Sequence, residues 1–298
     1  MYSKFTRGDE KAKNSGAALD LKTEKCYTEK DESEDLEMSI ANMETVIGIV
    51  KETDAIFFDD ALRADVRVKG DSDFVTRADL EVSEQIKRRL REEYPSVGFL
   101  SEEDYESLDF DGASDYWILD PIDGTTNFMH GLPFCCISLA LWSRGESVMG
   151  VVYSPYTGEL FTAEKGKGAC LNGKPIRVTD HVRLSDCVGL LELNAYYKNE
   201  VEMALDHARR IYLACQDIRT FGSAALEFAY VAAGRADVYL GRYLKPWDFA
   251  AGICLVREAG GCVSGLGREL DVTELKQHVV CTNGAAHEAF LKLLEDEK

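Results

Sequence analysis

Residues 116–128, Tyr-Trp-Ile-Leu-Asp-Pro-Ile-Asp-Gly-Thr-Thr-Asn-Phe, are the stretch around which the rest of the chain is organised. The first four residues are apolar or aromatic and predict a short buried strand. We expect it to end at Asp120-Pro121, because proline has no backbone N–H for the ladder. Asp123-Gly124 indicates a turn, and the Thr-Thr-Asn that follows can start a helical turn. The sequence therefore predicts two aspartates at one strand end.

This arrangement favours metal-assisted phosphoryl chemistry. Carboxylate oxygens are the ligands that hard divalent cations prefer, and free N–H groups at a helix start bind phosphate oxygens. The spacing of Asp120 and Asp123 is weak support by itself, because Asp-Gly turns are common. The hypothesis therefore depends on further acidic residues elsewhere in the chain.

Composition narrows the class of protein. The chain has 298 residues, which predicts one large domain or two closely joined ones. Its formal net charge of −19 argues against a binder of nucleic acid or of an anionic membrane. The nine cysteines and five histidines show no zinc spacing. Without a membrane-length apolar run or a signal peptide, the expected location is the cytoplasm.

The pattern along the chain predicts three regions and an α+β fold. Residues 1–37 are polar and charged, and we expect a disordered acidic extension. We expect an N-terminal α+β half over residues 38–185 with the metal site, and a C-terminal α/β half over residues 186–298 that closes it. The main predicted elements are helices at Met38–Leu62, Leu80–Glu93, Val201–Ala214, Pro246–Ala259 and Ala285–Leu294, an antiparallel meander over 135–178, and a strand at Val238–Leu240.

Four short strings carry a resemblance to a known family. They are Asp73-x-Val75-Thr76-x-x-Asp79, Glu102-Glu103, the string from Asp120 to Phe128, and Pro246-Trp247-Asp248-Phe-Ala-Ala-Gly252. Each alone has an ordinary explanation as a helix cap, an acidic loop or a polar turn. Together and in this order, they resemble the inositol monophosphatase family of lithium-sensitive, magnesium-dependent sugar phosphatases. The resemblance covers residues 40 to 290 approximately, and implies a layered αβαβα sandwich and a homodimer.

The resemblance also implies a set of metal ligands. Glu102, Asp120 and the Ile122 carbonyl would hold one ion, and Asp120, Asp123 and Asp248 a second. Four such carboxylates repel one another strongly, at roughly 4 kcal/mol for a pair about 4 Å apart, so cations are needed to balance them. An all-oxygen ligand set without histidine or cysteine selects Mg²⁺, or Mn²⁺ in its place, over zinc. We expect two or three ions.

Catalytic roles follow from the same resemblance. Asp79 and Thr125 would orient and deprotonate the attacking water, with a third ion able to help near Asp79. The N–H groups of Gly124 and Thr125 would bind phosphate oxygens next to Asp123. This set implies direct hydrolysis of a small phosphate monoester by water.

The substrate pocket departs from the family pattern at one position. Members that prefer inositol phosphates carry a glutamate seven residues before the motif aspartate, and here that position is Gly241. We expect Arg242 to offer donors for a second phosphate or a carboxylate instead. Gly222, Ser223 and Ala224 match the family's other substrate-contacting positions. The sequence therefore predicts an inositol-1-monophosphatase of broad specificity.

Two other functions stay open. The first is a phosphatase of the same superfamily for fructose 1,6-bisphosphate or a 3′-phosphonucleotide. The second belongs to another class, a non-catalytic regulatory binding partner. All the presumed ligands are intact, which argues against a catalytically inactive adaptor.

Overall fold

Two sheets form the framework of the computed structural model, which describes residues 40–70, 73–105 and 110–295. In the larger sheet, seven strands lie side by side in chain order, and only the first pair is parallel. A short hairpin precedes it. The strands of this part are β1 (Val66–Gly70), β2 (Asp73–Thr76), β3 (Gly98–Ser101), β4 (Tyr116–Asp123), β5 (Cys136–Ser143), β6 (Glu146–Ser154), β7 (Glu159–Glu164), β8 (Gly168–Leu171) and β9 (Lys174–Ile176). The predicted meander over 135–178 is thereby confirmed.

The second sheet has five strands in the order β11-β10-β12-β14-β13. The first three are parallel, because helices connect them, and the last three are antiparallel. The five strands are β10 (Val188–Leu191), β11 (Asp217–Arg219), β12 (Val238–Leu244), β13 (Cys262–Gly265) and β14 (Gln277–Thr282).

Helices cover both sheets and fill the space between them. One apolar core joins the long sheet to α1 and α4, a second places α7 and α8 between the two sheets, and a third joins the short sheet to α6 and α9. These five layers confirm the predicted αβαβα sandwich. The helices are α1 (Met43–Lys51), α2 (Asp54–Phe57), α3 (Asp60–Ala64), α4 (Arg77–Glu93), α5 (Thr125–Met129), α6 (Val201–Ala214), α7 (Ala224–Ala232), α8 (Pro246–Glu258) and α9 (His287–Leu294).

The prediction of one helix over Met38–Leu62 is wrong within the described residues. Three short helices, α1 to α3, take its place. Thr53 lies at the first break, where its hydroxyl donates to the Val50 carbonyl at 2.7 Å. Asp59 lies at the second, where its carboxylate accepts from the N–H of Ala61 at 2.8 Å. Side chains that bond locally to the backbone offer it an alternative to the helix, and so they divide this segment.

The prediction that the strand at Tyr116 ends at Asp120-Pro121 is also wrong. β4 continues to Asp123, with a register shift between Asp120 and Asp123 against β5. Pro121 lies inside that irregularity, where no ladder hydrogen bond is required of its nitrogen. The bulge keeps both aspartates on the strand and buries them.

Of the three predicted regions, the structure describes parts of the second and the third. The extension at residues 1–37 lies outside the described residues. The long sheet falls within 38–185 and the short sheet within 186–298, while α7 and α8 from the second region pack against the first. The division into two halves therefore stays a prediction. No helix in the described ranges combines the length and the apolar character that a membrane span requires.

Candidate active site

The end of β4 and the start of α5 form the centre of the site. Gly124 joins them with φ +89°, a left-handed conformation that glycine adopts without strain. A Cβ at this position would lie 2.8 Å from the Phe134 carbonyl oxygen, so the turn has no room for a side chain. Thr125 begins the helix, and the N–H groups of a first helical turn have no acceptor within their own helix.

Asp123 links this turn to the second half of the chain. Its Oδ2 accepts hydrogen bonds from Ser223 Oγ at 2.5 Å and from the Ala225 N–H at 2.8 Å, and its Oδ1 accepts from the Ala224 N–H at 3.2 Å. Burial raises the pKa of Asp123 to about 6, although these hydrogen bonds act to lower it. Ser223 and Ala224, two of the three residues predicted to contact substrate, are therefore held at the predicted metal site.

The Asn127 amide makes a second connection to the same loop. Its Nδ2 donates to the carbonyls of Phe134 at 2.7 Å, Phe221 at 2.7 Å and Gly222 at 3.2 Å. This residue was predicted only to help start a helical turn, and its three long-range partners could not be read from the sequence. The contact fixes the loop before α7 against the turn after β4.

Asp79 lies where β2 passes into α4, and it performs two tasks. Its Oδ2 accepts from the N–H of Thr76 at 2.8 Å, which completes a capping box at the start of the helix. Its Oδ1 accepts from the Thr125 hydroxyl at 3.3 Å, and that hydroxyl also lies 3.1 Å from the Ile122 carbonyl oxygen. Burial raises the pKa of Asp79 to about 7.

Glu102 and Asp248 approach from two other elements. Glu102 follows β3, and its N–H donates to the Leu119 carbonyl of β4 at 3.2 Å. Asp248 lies in the first turn of α8, where its Oδ2 accepts from the Lys245 N–H at 2.8 Å. Lys245 Nζ lies 3.8 Å from Glu102 Oε1, so one lysine contacts both acidic elements. Lys245 was not predicted from the sequence. Its position immediately before Pro246-Trp247-Asp248 could have indicated that it lies near the site.

Asp120 interacts electrostatically with all the other acidic residues predicted for the site. It is 2% exposed, and its pKa is raised first by burial and then by the charges of Glu102, Asp123, Asp248 and Asp79. The pKa of Asp248 is also raised, chiefly by burial. The structure therefore brings together all five carboxylates that the sequence predicted, from four separate parts of the chain.

This donor set fits a hard divalent cation. It consists of carboxylates and a backbone carbonyl, and burial raises the pKa of Asp120 and Asp248, with the neighbouring carboxylates adding to the increase. In the described part of the chain, no three acidic, histidine or cysteine side chains already form a ready metal cluster. Three of these carboxylates already accept hydrogen bonds from the protein: Asp79 and Asp248 from the starts of their own helices, and Asp123 from the N-terminus of α7.

Arg242 does not take the position that the sequence suggested. β12 continues to Leu244 instead of ending at Leu240, so Arg242 lies inside the strand and is completely buried. Its guanidinium lies 5.4 Å from the Tyr243 ring centre, and its nitrogens have no hydrogen-bond partner among the described residues. The acidic side chain that acts on its pKa is Glu200, not a carboxylate of the site. The expectation that Arg242 offers donors to a second phosphate is not supported by this position.

Two further acidic residues near the site were missed. Glu227 in α7 is fully buried, and its Oε1 accepts from the Phe221 N–H at 2.7 Å. Glu192 follows β10, and burial raises its pKa to about 7, with a contribution from the charge of Asp123. No motif marks either glutamate, because only the pairing of distant strands places them here.

A family model, related sequences and a solved structure all match this chain. A model of the inositol monophosphatase family matches residues 31–298. An inositol-1-monophosphatase from Rhizobium meliloti strain 1021 is 40% identical over 241 residues, covering 80% of this chain and 89% of that protein. A Thermotoga maritima protein named fructose-1,6-bisphosphatase/inositol-1-monophosphatase is 38% identical over 228 residues, covering 76% and 84%. Among solved structures, the extragenic suppressor protein suhB from Bartonella henselae has a TM-score of 0.77 at 35% identity, covering 86% of this chain and 99% of that one.

Proposed function

Because the chain belongs to the inositol monophosphatase family and is a phosphoric monoester hydrolase, we propose that it hydrolyses inositol 1-phosphate and related polyol phosphates with Mg²⁺ as cofactor. The strongest support is that four other carboxylates lie near enough to buried Asp120 for their charges to raise its pKa. So much buried negative charge destabilises a folded protein unless cations offset it. The products are the free polyol and inorganic phosphate.

The proposed metal ligands are the five that the family resemblance implies. Glu102, Asp120 and the Ile122 carbonyl would hold one ion, and Asp120, Asp123 and Asp248 a second. When bound, these ions supply charge neutralisation of the phosphate and activation of the attacking water. Two or three Mg²⁺ ions, with Mn²⁺ as a substitute and with inhibition by Li⁺, are part of the same proposal.

The chain's own residues would then move the proton and hold the phosphate. Asp79 is suited to accept the proton of the attacking water, because its pKa of about 7 lies near neutral pH. The Thr125 hydroxyl, shared between Asp79 and the Ile122 carbonyl, would orient that water. The N–H groups of Gly124 and Thr125 would donate to the phosphate oxygens.

A second substrate has some support from the comparisons. The name of the Thermotoga maritima relative includes fructose-1,6-bisphosphatase, so a bisphosphorylated sugar is the main alternative substrate. The burial of Arg242 weakens that alternative, since this arginine was the expected partner of a second phosphate. We further propose a homodimer in the cytoplasm that binds neither nucleic acid nor membrane.

Phosphate release from a panel of esters tests the proposed function. We expect turnover of inositol 1-phosphate with Mg²⁺ and none in excess EDTA, and Asp120→Asn should abolish the metal-dependent rate. The panel should include glycerol 2-phosphate, fructose 1,6-bisphosphate and a 3′-phosphonucleotide. Asp111→Asn, at an exposed aspartate that binds Ser114 and Ala113, is the matched control and should keep full activity. Activity that survives EDTA would contradict the metal-dependent mechanism.

A further inference from the structure

Glu192 lies beside Gly241, although 49 positions separate them in the chain. The strands β10 and β12 are parallel, with Leu190 opposite Tyr239 and Leu191 opposite Leu240. The Glu192 N–H continues this ladder by donating to the Leu240 carbonyl at 3.0 Å. Glu192 is therefore the next residue along, adjacent to Gly241.

The Glu192 side chain leaves the sheet on the face that carries the active site. Side chains alternate along a strand, and Leu190, two residues earlier, lies in the core between the two sheets together with Tyr239. The intervening Leu191 points to the opposite core with α6 and α9. Glu192 therefore faces the layer of α7 and α8, whose N-termini hold Asp123 and Asp248.

A side chain at position 241 would collide with its neighbours as they are now arranged. A Cβ on Gly241 would lie 2.3 Å from Leu244 Cδ1 and 3.0 Å from Tyr239 Oη. Contacts under 3.0 Å require neighbouring atoms to move, so the Leu244 side chain would have to shift before a side chain could occupy position 241. Gly241 offers no acceptor, so the acidic side chain at this point of the two strands is that of Glu192.

One carboxylate oxygen of Glu192 is available for this purpose. Its Oε1 accepts from the Asn194 N–H at 2.9 Å, which fixes the direction of the side chain. In the described ranges, its Oε2 has no protein donor, and the side chain is partly exposed. Its acidic neighbour Glu227 differs on this point, because Glu227 is completely enclosed.

We propose that Glu192 determines substrate specificity by accepting hydrogen bonds from hydroxyl groups on the polyol part of the substrate. The inference rests on the proposed phosphatase function and names the class of leaving group that the site selects. Hydroxyl groups are donors and a carboxylate is a pure acceptor, so a vicinal diol suits this position better than an aryl or alkyl group. A charged hydrogen bond of this kind is worth roughly a tenfold to hundredfold preference.

The test compares two phosphate esters in wild type and Glu192→Gln, both saturated with Mg²⁺. Inositol 1-phosphate presents ring hydroxyls, whereas p-nitrophenyl phosphate presents none. We expect kcat/KM for inositol 1-phosphate to fall roughly tenfold to hundredfold, mainly through KM, while kcat/KM for p-nitrophenyl phosphate stays within about threefold of wild type. A thermal unfolding curve checks that the variant is folded, and Glu192→Asp provides a second variant that keeps the charge.

Glu227→Gln is the matched control, because it removes a neighbouring buried carboxyl that does not reach the substrate. We expect it to affect the two esters to the same extent. An unchanged ratio of the two kcat/KM values in Glu192→Gln, or an equal change of that ratio in Glu227→Gln, overturns the inference. If wild type hydrolyses neither ester, the proposed function itself is wrong, and the inference is overturned with it. Turnover of p-nitrophenyl phosphate alone overturns only the polyol specificity.

Discussion

The Asp79 carboxylate caps its own helix with one oxygen and faces the Thr125 hydroxyl with the other. The cap is a local interaction that the spacing Thr76-x-x-Asp79 already indicates. The contact with Thr125 is long-range and places the carboxylate beside the start of α5 in the candidate active site. A plain capping role and a role as the general base therefore predict different results for the same substitution.

Asp79→Asn should preserve the helix and remove most of the activity. The asparagine oxygen can still accept from the Thr76 N–H, so we expect the free energy of unfolding to fall by no more than about 1 kcal/mol. Loss of a general base should lower kcat roughly 10²- to 10⁴-fold, about 3–5 kcal/mol in activation free energy. Steady-state kinetics and urea denaturation measure the two effects separately.

Asp59→Asn is the control for this experiment. Asp59 caps α3 by accepting from the N–H groups of Ala61 and Leu62, and among the described residues it has no hydrogen bond to a carboxylate of the site. We expect a similar small loss of stability and an unchanged kcat. If Asp79→Asn also keeps its kcat, the carboxylate is only a helix cap.

The helices α7 and α8 form the middle layer, and their close packing sets the position of the N-terminal turn that carries Asp248. Gly252 lies where they cross, and a Cβ there would be 2.4 Å from Phe228 Cγ in α7. On the other side of α8, a Cβ on Gly150 of β6 would lie 2.5 Å from the Ala251 carbonyl oxygen. Small residues at both contacts allow this helix to lie between a sheet and a second helix.

Gly252→Ala should therefore destabilise the protein even though alanine has the higher helix propensity. We expect a loss of about 1–3 kcal/mol in the free energy of unfolding, since the methyl group must displace a buried phenylalanine. Gly48→Ala in α1 is the matched control, because Gly48 is exposed and a Cβ there meets no atom within 4 Å. That variant should gain about 0.4–1 kcal/mol. Equal effects of the two substitutions in chemical denaturation would show that packing at Gly252 is not tight.

At the scale of the whole molecule, carboxylates with raised pKa values determine how stability depends on pH. The net charge is −19, and Asp79, Asp123 and Glu192 have pKa values of about 7, 6 and 7, raised mainly by burial. In the unfolded chain these groups lose their protons near pH 4. The folded protein therefore binds more protons than the unfolded chain between pH 4 and 7. By linkage, the stabilisation from each group is complete below pH 4 and is lost as pH rises toward 7.

The metal-free protein should accordingly lose stability as pH rises from 5 to 8. Each group contributes at most about 1.4 kcal/mol per pH unit within its window. Bound Mg²⁺ favours the ionised carboxylates, so saturation with Mg²⁺ should flatten or reverse this slope. Urea denaturation at several pH values, with EDTA or with Mg²⁺, measures both effects. Asp111→Asn should keep the wild-type slope, whereas a metal-free stability that rises with pH would contradict the charge distribution described above.

The sequence predicted the layered fold and the acidic residues of the candidate site through four short motifs and the family resemblance that they carry. These signals are local: Asp79 and Asp248 each lie three residues after the start of a helical cap, and Asp120 and Asp123 occupy one strand end. Local hydrogen bonding and hydrophobic periodicity decide such positions, and both can be read from a short window. The same reading was wrong where local side-chain hydrogen bonds divided the first helix at Thr53 and Asp59.

Only the tertiary structure decided which side chains surround the acidic centre. Sheet pairing extends β12 to Leu244, which buries Arg242 inside the strand. Parallel pairing of β10 with β12 brings Glu192 beside Gly241, and the docking of α8 brings Lys245 to Glu102. The contacts of Glu192 and Lys245 join residues 49 or more positions apart, and the strand pairing at Leu244 joins residues 33 positions apart. They depend on strand register and helix packing, which a short window of sequence does not specify.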